Sequence, residues 1–111
     1  MAKGTFVQDG QHLDYTPSGA DASAGDIILL GTRIGVVVRD TKDGKLGAVA
    51  VSGVWEMPKA TGQSWTLGAS LYWDAGANNF TTTSAGNTLV GYAAKAAALN
   101  DATGLVRINA K

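Results

Sequence analysis

The sequence predicts an all-β fold, a compact β-barrel or β-sandwich of roughly eight to ten short antiparallel strands. Short runs of alternating or continuous apolar residues recur along the chain, and turn-forming Gly, Asn and Asp residues separate them. Such spacing is typical of sandwiches and barrels, whereas βαβ units need helices between their strands. The predicted strands are residues 12–16, 26–30, 34–38, 45–51, 54–58, 69–73, 80–83, 88–93 and 105–108.

The first half of the chain supplies four of these strands. Residues 12–16 alternate between polar and apolar side chains, as a half-buried strand does. Residues 26–30 form a continuous apolar run, which predicts a strand covered on both faces. The β-branched run at 34–38 disfavours a helix. After it, Asp43-Gly44 supplies the positive φ angle that a tight hairpin needs.

The most distinctive stretch is Gly-Val-Trp-Glu-Met-Pro-Lys at 53–59. In a strand, Trp55 and Met57 point to the same side, and burying each contributes roughly 1.5–3 kcal/mol. Pro58 lacks a backbone donor, so the strand should end there or lie at a sheet edge. Trp65 follows in a loop rich in Gly, Thr and Ser, where its indole needs cover and a partner for its N–H group.

Residues 93–99 are rich in alanine, the best helix former. The stretch is too short for a helix that is stable by itself. We therefore expect a strand that runs out into a loop here.

Length and charge narrow the class of protein. The 111 residues fit a single β domain spanning 1–111, in which 1–8 could be an extended N-terminal arm. The formal net charge is zero, so no basic surplus favours nucleic acid, and no run of like charges favours a membrane surface. The absence of cysteine excludes disulfides and thiolate metal sites. We expect no cofactor and no metal.

No catalytic constellation is present in the sequence. His12 is the only histidine, and no serine lies in a Gly-x-Ser-x-Gly turn that could join it in a triad. Asp40 and Asp43 lack the ligand spacing of a calcium loop. Gly44-Lys45 lacks the following Ser or Thr of a phosphate-binding loop. These patterns predict that the protein is not an enzyme.

The aromatic residues leave two interpretations open. Trp55, Trp65 and Trp73 could form a platform on which a sugar or the bases of single-stranded nucleic acid stack. In small β domains, aromatic side chains more often belong to the core or to a subunit interface, and we favour that interpretation. A β-barrel ligand-binding module is the alternative function.

Six distinctive sequence blocks follow one another along the chain. They are Met1-Ala2-Lys3 leading into Phe6-Val7-Gln8-Asp9-Gly10, then Ala24-Gly25-Asp26, Gly53-Val54-Trp55-Glu56-Met57-Pro58-Lys59, Leu71-Tyr72-Trp73-Asp74, Gly86-Asn87-Thr88-Leu89-Val90-Gly91 and Val106-Arg107-Ile108. In this order the blocks resemble the DUF2190 family of small proteins encoded among the head genes of tailed phages and prophages. The resemblance spans essentially the whole chain, and the blocks at 53–59 and 71–74 are its most specific parts.

The resemblance implies a capsid cement or decoration protein, a structural component of the virion. Such a protein is made in the host cytoplasm and binds the outer surface of an expanded head, where it stabilises contacts between subunits of the major capsid protein. The implied partners are that protein and further copies of this chain, with a homotrimer favoured and a dimer possible.

Candidate contact residues come from the arm and from the tryptophan-bearing segments. Residues 2–8 could add as a strand to the edge of a capsid sheet, or they could be an ordinary first strand of the domain. The candidates for the capsid or oligomer interface are Lys3, Thr5, Phe6, Val7, Trp55, Met57, Pro58 and Trp65.

Overall fold

The computed structural model describes residues 2–6, 8 and 10–110. These residues form nine β-strands and no helix, so none of them belongs to a helix that could cross a membrane. The strands are β1 (His12–Tyr15), β2 (Ile27–Leu30), β3 (Arg33–Val37), β4 (Gly47–Ala50), β5 (Val54–Pro58), β6 (Ser70–Asp74), β7 (Asn79–Thr81), β8 (Thr88–Ala93) and β9 (Thr103–Ile108). The predicted all-β class is confirmed.

Strands β1 to β4 form an antiparallel sheet in the order β1-β4-β3-β2. Gly31, with a φ angle of 63°, lies in the two-residue turn that joins β2 to β3. The prediction that 26–30 is covered on both faces is wrong, because β2 is an edge strand and Leu29 is 40% exposed. A continuous apolar run therefore marks a sheet edge here.

Strands β5 to β9 form a second antiparallel sheet in the order β5-β9-β8-β6-β7. Strand β5 lies at one edge and ends at Pro58, as the missing backbone donor predicts. A β-bulge between Leu71 and Tyr72 shifts the register of β6 against β8. Residues 94–99 leave β8 without forming a helix, which confirms the expected loop.

The two sheets pack face to face and do not close into a barrel, so the fold is a sandwich. Ile34 and Val36 of β3 reach from the four-stranded sheet into the main core, which the five-stranded sheet otherwise supplies. The buried members of this core are Ile34, Val36, Met57, Trp65, Leu71, Trp73, Phe80, Val90, Ala93, Val106 and Ile108. A smaller cluster around Val37 and Val49 lies apart from it.

Asn109, just after β9, links the two sheets through its side chain. Its Oδ1 accepts a hydrogen bond from the Ile34 N–H at 2.8 Å, and its Nδ2 donates to the carbonyls of Ile34 and Val51 at 2.7 Å each. Its φ angle of 59° lies in the left-handed region, which asparagine tolerates better than most residues. One side chain thus supplies backbone hydrogen bonds that are missing where β3 begins and β4 ends.

Candidate interaction surfaces

Trp65 belongs to the first of two loops, residues 59–69 and 94–102, which we call the loop pair. Its side chain is 2% exposed and belongs to the main core. A side chain at position 104 would collide with the Trp65 ring, so Gly104 on β9 leaves the space that the indole fills. Core packing supplies the expected cover, although the indole Nε1 has no hydrogen-bond acceptor among the described residues.

Backbone hydrogen bonds join the two loops into one unit. Trp65 and Ala97 exchange two such bonds, at 2.9 and 3.0 Å. Gly62 donates to the Leu99 carbonyl at 3.1 Å. The loop pair is therefore a hydrogen-bonded platform, in which the backbone that carries the exposed side chains is held in place.

Lys59 fixes the base of this platform from within. Lys59 directly follows β5 and is buried, and its Nζ donates to the carbonyls of Ala60 (3.0 Å), Gln63 and Leu99 (3.3 Å). The same Nζ lies 5.8 Å from the centroid of the Trp65 ring, within cation–π range. The Met-Pro-Lys end of the distinctive block therefore has a structural role, because it anchors both loops.

Two leucines project from the loop pair into solvent. Leu67 is 72% exposed and Leu99 is 50% exposed. Sequence reasoning missed both as contact candidates, because an isolated leucine in a Gly- and Thr-rich loop reads as ordinary loop sequence. The sequence did contain one indication: each is a large apolar residue in a loop, outside any alternating pattern that would predict its burial.

The predicted contact residues of the second half separate into buried and half-buried positions. Met57 and Trp65 are covered by the chain's own core, so neither presents a surface to a partner in this conformation. Trp55 and Pro58 are half-buried on β5, and the Trp55 Nε1 donates to the Ser52 carbonyl at 3.0 Å. Trp73 also lies in the core, so the three tryptophans do not form a stacking platform.

The N-terminal residues belong to neither sheet in the part that the structure describes. Residues 2–6 and 8 are exposed and carry no strand, and Phe6 is 81% exposed. Lys3 and Thr5 are therefore free surface positions, whereas Val7 lies outside the described residues. Asp9, in the first of the six resembling blocks, also lies outside the described residues.

Aspartates brace the two loops at 19–24 and 39–43. The Asp43 carboxylate accepts a hydrogen bond from the Gly19 N–H at 3.0 Å, and Asp40 accepts from the Ala24 N–H at 2.9 Å. In return, Asp21 accepts from the Asp43 N–H at 2.8 Å. These side chains act as turn braces, in agreement with the interpretation that the sequence favoured over a calcium loop.

The pKa of the Asp21 carboxyl group should be lower than that of an ordinary aspartate. The hydrogen bond from the Asp43 backbone and the ion pair with Lys42, at 3.3 Å, hold its pKa below the ordinary value of 3.8. Because the folded-state pKa is the lower one, the brace contributes fully above pH 3.8 and is lost as the pH falls through the folded value. An NMR titration of the Asp21 carboxyl carbon should give a midpoint below 3.8. Lys42→Met should move the midpoint upward, and a wild-type midpoint at or above 3.8 would contradict the brace.

His12 is the only histidine in the sequence. His12 is exposed on the edge strand β1. Among the described residues, no three His, Cys, Asp or Glu side chains come together in a way that could hold a metal ion. The candidate functional features of the described residues are therefore their exposed apolar surfaces.

One family model matches the sequence. It is described as phage cement protein, and it matches residues 7–108. No curated protein and no solved structure matches. The matched range includes all nine strands and both loops of the loop pair. A phage cement protein is a structural component of the capsid in the virion and binds capsid proteins. The chain belongs to the phage cement protein family.

Proposed function

We propose that the protein binds the outer surface of an expanded phage head and stabilises contacts between neighbouring subunits of the major capsid protein. The family match over residues 7–108 is the observation that carries this proposal. The placement of the side chains agrees with it, since the described residues include large apolar side chains that are exposed on the β-sandwich.

Binding across a junction explains how a small inert domain can strengthen a shell. Only the assembled lattice presents a site made from two or three subunits, so binding shifts the equilibrium toward the assembled, expanded state. A homotrimer at a threefold junction multiplies weak contacts, provided that its three copies reach three subunits together.

The loop pair is the surface that we assign to the capsid contact. Its two exposed leucines are apolar groups held in place by the bonds between the loops. A backbone that is already ordered loses little conformational entropy on binding, which favours contacts of this kind. Lys59 and Trp65 are then positioning residues beneath the contact surface.

The direct experiment is a thermal melt of purified expanded heads that lack their cement protein. Adding the protein should raise the melting temperature of the heads until the lattice sites are filled, because a ligand of the assembled state alone stabilises that state. Unexpanded heads are the control and should show a smaller shift. Equal melting temperatures with and without the protein would remove the proposal.

Leu67→Asp should weaken binding to expanded heads about 30-fold, the loss expected for a contact worth about 2 kcal/mol. Leu46→Asp is the matched control, because Leu46 is 67% exposed in the hairpin before β4, outside the loop pair. Co-sedimentation with heads measures both affinities, and urea unfolding should find both variants as stable as the wild type. Equal loss in the two variants would move the contact surface away from the loop pair.

A further inference from the structure

Strand β2 has an open edge with hydrogen-bonding groups available. The Val37 N–H donates to the Asp26 carbonyl at 2.9 Å, and bonded positions in an antiparallel pair recur at every second residue. Ile28 therefore faces β3, and Ile27 and Leu29 point their N–H and C=O groups away from the sheet. The contacts of Ile34, which lies opposite Leu29, agree with this. The N–H and C=O groups of Ile34 bond to the Asn109 side chain, so Leu29 has no backbone partner on β3.

This edge lacks the features that usually protect an edge strand from pairing. Charged side chains, proline and short length discourage a further strand. Strand β1 carries Asp14, β5 carries Glu56 and Pro58, and β7 has three residues. Strand β2 is Ile-Ile-Leu-Leu, with no charge and no proline. Of the four edges, β2 is the one suited to accept another strand.

A groove runs beside β2, between it and the hairpin of β6 and β7. It encloses about 380 Å³. Residues 25–28 line one side, and Trp73 and Asn78 line the other. Among the described residues, Asp26 is the only charged one that lines it. A narrow, extended segment with one positive charge therefore complements the groove.

The N-terminal arm has these properties. Its described residues 2–6 are exposed, belong to no strand, and read Ala-Lys-Gly-Thr-Phe. Lys3 is the only charged residue among them, and Phe6 is the only large apolar one. Phe6 follows Lys3 by three positions, as Leu29 follows Asp26, so the two pairs can lie side by side in one register.

The arm of the same chain cannot easily take this place. The arm ends at Gln11, just before β1, and the Gln11 carbonyl accepts a hydrogen bond from the Val51 N–H at 2.9 Å. Strand β1 is the edge of the sheet opposite to β2. A strand added next to β2 lies four strand spacings from β1, about 19 Å away. Phe6 is five residues from Gln11, which spans at most about 18 Å. The turn at 10–11 shortens this reach further and leaves no residue to turn along β2.

We propose that the arm of a second copy of this chain adds to β2 as a parallel strand, with Lys3 beside Asp26 and Phe6 beside Leu29. In this register the lysine and the carboxylate pair on one face. Phe6 covers the exposed Leu29 on the other face, where Gly4 meets Ile27 at the groove and needs no space for a side chain. Each copy gives its arm to the next, so the copies form a closed ring if the rotation between them closes.

This inference names the contact of the homo-oligomer in the proposed function and needs no capsid for its test. The sequence has no cysteine, so paired cysteines can report the contact directly. Thr5 and Ile28 are neighbours in the proposed register, with Cα atoms about 4.8 Å apart, a distance that a disulfide can span. Thr5→Cys with Ile28→Cys should give covalent dimers and larger species after mild oxidation, visible on a non-reducing gel.

The matched control is Thr5→Cys with Glu56→Cys, which places the second thiol on the exposed face of β5 in the other sheet. It should give at least tenfold less covalent oligomer. When the single variants Thr5→Cys and Ile28→Cys are mixed, the cross-linked product should stop at a dimer containing one chain of each. Equal cross-linking in both double variants would overturn the proposal.

Phe6→Asp tests the same contact without cysteine. Phe6 is exposed within its own chain, so the variant and the wild type should unfold at the same urea concentration when both are diluted to monomers. At higher protein concentration, light scattering should show that the variant alone has the mass of the monomer. Phe6→Leu should keep the oligomer. If the wild type is itself a monomer and Phe6→Asp loses only its binding to heads, the arm contacts the capsid. That result overturns arm exchange and leaves the proposed function standing.

Discussion

Replacing Trp65 by alanine should lower the free energy of unfolding by about 3–5 kcal/mol, the cost of removing a large aromatic side chain from a packed core. The indole is 2% exposed, fills the space left by Gly104, and lies under the Lys59 ammonium. A domain of this size has a total stability of about 5–15 kcal/mol, so the variant should be marginally folded. Urea unfolding followed by circular dichroism measures the change.

Trp65→Phe is the control that separates volume from polarity. Because the indole Nε1 has no acceptor among the described residues, phenylalanine loses no hydrogen bond there and should cost about 1–2 kcal/mol. A loss below about 1 kcal/mol for Trp65→Ala would mean that the core does not depend on this residue. The two leucines of the loop pair should become mobile in the alanine variant, since the ring supports both loops from below.

Asn109→Ala should lower the free energy of unfolding by about 3–4 kcal/mol. The side chain makes three hydrogen bonds to the backbone of Ile34 and Val51, and each contributes about 1 kcal/mol net. Alanine also adopts the left-handed conformation of this residue less readily than asparagine, which costs up to about 1 kcal/mol more. Thermal or urea unfolding of the variant measures the total.

Asn109→Gly divides these two contributions. Glycine accepts the φ angle of 59° without strain but supplies no side chain, so its loss should be smaller than that of alanine by about 1 kcal/mol. If glycine restores most of the wild-type stability, the backbone angle matters and the three hydrogen bonds do not. If both variants are as stable as the wild type, the sheets need no link at this point.

Local sequence patterns were enough to predict the strands but not every burial pattern. Each of the nine strands overlaps a predicted segment, because alternation and turn residues act over a few neighbours. Strand β2 shows the limit. Its apolar run predicted full cover, and only the sheet order reveals that Leu29 lies at an edge. The choice between barrel and sandwich depended in the same way on contacts between distant strands.

The contact surface was predicted less well than the fold, for a related reason. The block ending in Met57, Pro58 and Lys59 does lie near the candidate surface, but as the support beneath it. A sequence shows that Trp65 needs cover, and it cannot show whether the chain or a partner provides that cover. Leu67 became visible as a contact candidate only after the pairing of two loops far apart in sequence.

The two layers of the sandwich come from separate stretches of the chain. Every strand of the first sheet lies within 12–50, and every strand of the second lies within 54–108. No ladder of strand pairing crosses from one layer to the other in the part of the chain described here. The halves can therefore part along the core in a subglobal opening that leaves both ladders whole. Residues 54–108 hold the larger share of the core, so their amide hydrogens should exchange more slowly than those of 12–50. The hydrogen bonds of the Asn109 side chain should be the first to break.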